Sequence, residues 1–240
     1  MSLHHSPKIV TNGLVLCLDA GNRKSYPGLG EIWQDVGGNN YNGTLIDGAV
    51  FSLENKGNIT FNGSTSYVSS TYSINSRPFS INIWFYFNTF DGSWHTFVNQ
   101  DTSQATNLGA FYFQKVFSGG GAGGRIGNTI GLAMTNISNS EIYCYDPNPI
   151  LIKIWYNYCV SVSTSDITLY KNGIEVNKII NSDTLATTTG PLIIGAGYYT
   201  DTIIDFFNGK IAQLGIYNRA LSASEILQNY NATKGRFQLT

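Results

Sequence analysis

From residue 79 to residue 87 every odd position is apolar (Phe79, Ile81, Ile83, Phe85, Phe87), while Ser80, Asn82, Trp84 and Tyr86 hold the even ones. A period of two belongs to a β-strand with one face turned to a core, and it marks 79–87 as the most central strand. The rhythm recurs along the chain. In 9–19, Leu14, Leu16 and Leu18 alternate with Val15 and Cys17, so both faces of this first strand read as covered. Further strand-like runs are predicted at 59–69, 94–100, 109–117, 130–134, 142–145, 155–163, 167–178 and 192–197. Seven Asn-Gly or Asp-Gly pairs punctuate the sequence, the residues that tight hairpins with positive φ favour. Hairpin turns are expected at Asn62-Gly63 within 59–69, at Asn172-Gly173 within 167–178, and at Asn208-Gly209 between strands at 203–207 and 210–217. Strands never alternate with helices, which excludes a parallel α/β fold.

One short helix is predicted, after Tyr217. Ser222 and Glu225 stand three apart as a capping box, able to satisfy orphan amides of the first helical turn. The segment leading into it, Tyr217-Asn218-Arg219-Ala220-Leu221-Ser222, resembles the closing piece of laminin G-like domains of the concanavalin A-like lectin/glucanase superfamily. Other stretches carry the same resemblance. Trp33-Gln34-Asp35-Val36-Gly37-Gly38-Asn39 is similar to the family's W-x-D-x-S-G-N, and Phe61 to Val68 to its F-x-G-x-x-x-Y-V. Leu169-Tyr170-Lys171-Asn172-Gly173 looks like the L-Y-x-N-G hairpin shared with pentraxins, and Leu192 to Gly195 like L-x-I-G. The run Gly13 to Asn22 looks like the start of such domains in tailed-phage structural proteins. The resemblance implies an all-β, two-sheet antiparallel jelly-roll sandwich with one short C-terminal helix, as a single domain over 9–240 behind a tail at 1–8. Two departures stand out: Gly37 replaces the usual Ser, and Ala212-Gln213 replaces an acidic pair.

Composition narrows the partners. Charged residues make up 12% of the 240, about half the roughly 25% of ordinary globular chains, while Gly (26), Tyr (15) and Phe (13) are plentiful. This suits an extracellular or virion β-protein. A net charge of −1 supplies no basic field for nucleic acid and no polybasic strip for a membrane surface. Cys17, Cys144 and Cys159 are too few for a disulfide framework and lack the spacing of a thiolate metal site, so buried free thiols are expected. No signal peptide is seen in Met1 to Lys8, and His4-His5 reads as native or as a cloning remnant.

Candidate chemistry is sparse. Asp35 and Asn39 lie in an oxygen-rich loop that suits calcium, or they bond their own backbone to hold turns; both readings stay open. The glycine run at 119–127 formally holds G-x-G-x-x-G, but strand follows it where a dinucleotide site needs a helix, so it reads as a flexible loop. A glucanase needs two carboxylates across the scissile bond, and Glu31, Glu54, Glu141 and Glu175 are widely scattered with no Glu-x-Asp-x-Glu strand. His95 sits in a strand with no nucleophile elbow nearby, which favours a surface or packing role. Five Asn-x-Ser/Thr sequons, at Asn42, Asn58, Asn62, Asn136 and Asn231, follow from the asparagine content alone.

What remains is binding. Tyr198, Tyr199 and Asp201 sit in a loop at a strand end, and Trp94 and Asn99 at a strand rim; rings that stack on sugars and side chains that bond hydroxyls make these the ligand-binding candidates. The expected function is a non-catalytic carbohydrate-binding or adhesion module of a phage virion or cell-surface assembly, its partner a glycan or polysaccharide. The alternatives are a virion protein docking on other subunits and, as a minor one, a diverged glycoside hydrolase.

Overall fold

A computed structural model describes residues 8–100, 111–117, 119, 126–186, 188, 190–199 and 201–239. Its first strands are β1 (Leu14–Asp19), β2 (Ile32–Trp33), β3 (Gly43–Ile46), β4 (Val50–Ser52), β5 (Asn58–Asn62) and β6 (Tyr67–Ser70). The middle of the chain forms β7 (Phe79–Phe87), β8 (His95–Gln100), β9 (Phe111–Lys115), β10 (Ile130–Thr135), β11 (Glu141–Tyr145) and β12 (Trp155–Val162). β13 (Asp166–Lys171), β14 (Ile174–Ile180), β15 (Leu192–Ile194), β16 (Gly197–Tyr199), β17 (Thr202–Ile204) and β18 (Asn208–Tyr217) follow, then helix α1 (Ala223–Thr233).

The strands build two antiparallel eight-stranded sheets, the sandwich expected. The first runs β14-β13-β12-β7-β18-β5-β4, with β1 also on β18; the second runs β11-β10-β9-β8-β15-β6-β3-β2, and β16-β17 stand apart as a hairpin. β18 is the axis of the first sheet. Along one edge it pairs with β7 from Gly209 to Tyr217; along the other, Asn208–Ile211 pairs with β5 and Gln213–Tyr217 with β1. The inward set Phe79, Ile81, Ile83, Phe85 and Phe87 is almost wholly buried and meets Phe97, Phe111, Phe113 and Leu132 of the second sheet. Phe85 stacks on Phe97 at 4.2 Å between centroids.

Two of the three expected Asn-Gly hairpins are different structures. At Asn62-Gly63 the flanking strands do not pair: β5 belongs to the first sheet and β6 to the second, so this turn carries the chain across the sandwich. Asn208-Gly209 is no turn but the start of β18. A Cβ on Gly209 would lie 2.1 Å from the Tyr86 carbonyl oxygen, so glycine serves close strand approach there. Asn172-Gly173 is the hairpin expected, with φ of 52° and 80° and Lys171 paired to Ile174. All three cysteines are free and buried; burial is the main cause that pushes Cys17 and Cys144 up to about 12.

The outer face of the first sheet is covered by the end of the chain. Trp84 stacks on Phe237 at 4.1 Å and on Tyr230 at 5.7 Å, and its Nε1 donates to Thr233 Oγ1 at 2.8 Å. Ala212 lies buried in this aromatic cluster. The capping box forms as predicted, and Arg219 adds a two-pronged bond to Glu225 at 2.9 and 2.6 Å. That bond, helped by Ser222, holds the Glu225 carboxyl down at about 2. A carboxyl depressed in the folded state contributes stability above its unfolded value, lost as pH falls through the folded one. The melting-temperature gap between the wild-type protein and Glu225→Gln is therefore expected at neutral pH, and to close between about pH 4.5 and about pH 2.

Candidate functional site

Strand alternation decides what the second sheet shows to solvent. In β9, Phe111 and Phe113 enter the core, which turns Tyr112 and Gln114 outward; in β10, Leu132 and Met134 do the same for Ala133 and Thr135. Register lines these up in rows: Asn99, Tyr112, Ala133 and Tyr143 lie side by side across β8 to β11, and Thr135 lies beside Glu141.

The β16-β17 hairpin is lashed onto one end of this face. Gly195, with φ of 82°, starts the departure from β15; a Cβ there would meet the Phe61 ring at 2.3 Å, so only glycine fits. Asn99 then acts as a clasp, since its amide donates to the Phe111 carbonyl at 3.0 Å and its oxygen accepts from the Tyr198 amide at 2.7 Å. Tyr112 Oη donates to the Tyr198 carbonyl at 3.3 Å, and Tyr198 Oη to Asp201 at 2.7 Å. On the far side Thr96 N–H donates to the Asp205 carbonyl at 2.9 Å. Buried His95 ties the segment after the hairpin to the one before β8, with Nδ1 2.6 Å from the Phe206 carbonyl and Nε2 2.9 Å from Asp91.

Between hairpin and sheet lies a pocket of about 320 Å³. Trp94, Tyr112 and Tyr199 supply aromatic surface, and Gln114, Ala133 and Thr135 belong to the sheet beneath. Glu141, whose carboxylate accepts from the Tyr143 hydroxyl, and Asp205 also line it. Tyr199 is 38% exposed, Trp94 is half-buried against Phe117 at 5.3 Å, and burial pushes Asp205 up while His95 draws it back.

Of the residues singled out from sequence, Trp94 and Tyr199 line the pocket, Tyr198 and Asp201 form the hairpin beside it, and Asn99 holds that hairpin from below. Sequence reasoning missed Tyr112, Gln114, Glu141 and Asp205. The outward set of β9 was visible in its alternation, but the meeting of Glu141 with Asp205 depends on sheet order. Most of the glycine run at 119–127 lies outside the described residues.

Asp35 and Asn39 lie elsewhere, in the loop after β2. One Asp35 oxygen accepts from the amides of Cys17 and Gly37 at 2.8 and 2.7 Å, the other from those of Asn39 and Tyr41, both at 3.2 Å. Asn39 donates to the Val15 carbonyl at 2.8 Å. The carboxylate is thus engaged by four N–H donors, the turn-holding arrangement, and among the described residues no three His, Cys, Asp or Glu converge as a metal site. Calcium finds no fitting donor set at this loop, and EDTA is expected to leave the melting temperature unchanged; a drop of several degrees would show an ion bound. No described helix is long and apolar enough to cross a membrane.

Residues 61–227, more than half the chain, match the laminin G family model described as Concanavalin A-like lectin/glucanases superfamily. The chain belongs to this superfamily. Its lectin-like sandwich recurs in solved structures of low identity. The binding domain of Paraclostridial Mosquitocidal Protein 1 is 20% identical, with a TM-score of 0.70 over 92% of this chain and 52% of that one. Domain 4 of AbnA, an extracellular arabinanase of Geobacillus stearothermophilus solved with arabinotriose, is 16% identical, with a TM-score of 0.68 over 90% and 98%. The binding domain of botulinum neurotoxin DC, solved with SialylT, is 14% identical, with a TM-score of 0.69 over 93% and 52%. This superfamily member thus spans about half of the toxin binding domains it matches and nearly all of the arabinanase domain. No protein with a curated description matches its sequence.

Proposed function

We propose that this chain is a non-catalytic glycan-binding or adhesion module that holds a saccharide between Trp94 and Tyr199. The observation that carries the reading is the aromatic-walled pocket with polar groups at its base. Sugars offer apolar C–H faces to rings and hydroxyls to amides and carboxylates, and a recess combining both orients them. The sandwich shared with an arabinanase domain solved with arabinotriose and a toxin domain solved with SialylT supports it.

A glycan array run with and without calcium tests the proposal. Binding is expected, and Tyr199→Ala and Trp94→Ala are each expected to weaken it about tenfold or more, since a ring at a ligand contact carries roughly 1.4 kcal/mol or more. Silence across bacterial-surface polysaccharides in both conditions overturns the reading. Because Glu141 and Asp205 share the pocket, reducing-end release is measured alongside. None is expected, and turnover abolished by Asp205→Asn would make the chain a hydrolase instead.

A virion or cell-surface setting is part of the proposal, resting on the low charge and on the resemblance at residues 13–22. A second reading, docking on other subunits of such an assembly, is favoured by one loop in which Leu151 is 65% exposed with Ile152 and Ile154 beside it. Light scattering separates the two: a monomer with glycan affinity supports the lectin, a stable oligomer without it the docking protein.

A further inference from the structure

We propose that His95 is a proton-operated latch: with two ring protons it ties the segment ahead of β8 to the one that follows the β16-β17 hairpin, and the loss of one proton releases that tie. The two segments carry Trp94 and Asp205, both part of the pocket lining. That end of the pocket is therefore firm in mildly acidic surroundings and looser above neutrality. The latch stands whether or not the pocket takes a glycan.

His95 is 1% exposed and packs edge to face on Phe87 at 5.6 Å, so protein groups must satisfy its ring nitrogens. Both groups that it meets are acceptors. The Phe206 carbonyl, 2.6 Å from Nδ1, has no hydrogen to give, and neither has an ionised Asp91 carboxylate, 2.9 Å from Nε2. Burial pushes the Asp91 carboxyl up, yet the Ser93 amide, donating at 2.8 Å, and His95 outweigh it and hold it below the ordinary carboxylate range. A neutral imidazole offers one N–H and one bare lone pair, so it serves only one of two acceptors. An imidazolium serves both, the Asp91 side through a charge-assisted bond. Histidine is the side chain whose charge ordinarily changes between about pH 5 and 8. Removing one proton turns Nε2 from a donor into a lone pair set against a carboxylate.

Three charged groups face this corner from the surrounding elements: Asp91 before β8, Lys115 on β9 and Asp205 after β17. Lys115 stands opposite His95 in the β8-β9 ladder, fully buried, with Nζ over the Phe90 ring at 4.9 Å and donating to Asn128 at 3.2 Å. Burial pulls Lys115 down to about 8 while Asp91 draws it back, so below that pH it stays an ammonium. Burial pushes Asp205 up while His95 draws it back, which makes Asp205 the rival proton carrier.

The experiment compares the whole chain at about pH 5.5 and about pH 7.5, which bracket the ordinary histidine transition and lie below the loss of the Lys115 proton. Nitrogen NMR of histidine-labelled protein is expected to show both His95 ring nitrogens protonated at the lower pH and one at the higher. Amide protection at 91–96 and 205–207, corrected for the intrinsic exchange rate, is expected to fall about tenfold or more between the two, the ratio that a charge-assisted bond of about 1.4 kcal/mol or more sets. His95→Gln removes the ring signals and is expected to abolish that ratio. Should this variant fail to fold, Asp91→Asn shifts the same signals and identifies them. Asp91→Asn can also turn an amide N–H towards a neutral ring, so it is expected to shrink the ratio, while Asp205→Asn leaves it unchanged. A His95 ring with the same number of protons at both pH values, or protection that does not change, overturns the latch. So does a ratio abolished by Asp205→Asn, which hands the proton to that carboxyl.

Discussion

Replacing Trp84 with alanine is expected to lower the melting temperature by roughly 6–20 °C, from a loss of about 3–5 kcal/mol for deleting a buried aromatic ring and about 2–4 °C per kcal/mol in a chain of this size. The ring is fully buried on the outer face of the first sheet, between the strand and the segment that covers it. Its removal takes away two aromatic stacks and the N–H bond to Thr233 in one step. Trp84→Phe keeps a ring to stack but loses the donor and part of the buried ring volume, so a smaller drop, about 1–3 kcal/mol, is expected. Amide exchange locates the effect: protection should fall first in 223–237, while the strands stay protected. A melting curve unchanged by Trp84→Ala would mean that the helix is held without this ring.

Asp35→Ala is the second large effect, a loss of about 3 kcal/mol or more, or roughly 6–12 °C. The side chain accepts from four backbone amides, one of them Cys17 inside β1, and alanine leaves those donors without an acceptor. Asp35→Asn separates hydrogen bonding from shape. Its remaining oxygen still serves two donors while its NH₂ group faces the other two, so an intermediate loss is expected. A melting temperature within a degree of wild type for Asp35→Ala would show that the loop holds itself without the carboxylate.

These two residues mark what was legible in the sequence. The unbroken odd-position pattern of 79–87 named the core face of β7, and by subtraction put Trp84 on the other face. What lies over Trp84 comes from Tyr230 and Phe237, whose apolar positions say nothing about where the helix docks. Turn chemistry was legible only where the turn is the whole story. Asn172-Gly173 closes a hairpin because Lys171 and Ile174 pair across it. Asn62-Gly63 makes an equally good turn, yet the partner of each flanking strand is chosen elsewhere, and those partners lie in different sheets. Gly209 answers to a carbonyl on β7, a contact no local pattern encodes. In the pocket, rings flanking a predicted loop drew notice early. The acids did not, because Glu141 and Asp205 belong to segments brought together only by the sheet and its hairpin.

The place of β18 carries a consequence for how the protein is made. A ribosome delivers β1, β5 and β7 long before residues 208–217, yet the strand that joins them is β18, so three early ribbons keep open edges until that strand has been made. Nascent chains stalled upstream of 208 should therefore be protease-sensitive and prone to clump, and those released past 217 should resist digestion. The keystone of this arch is laid after both of its sides.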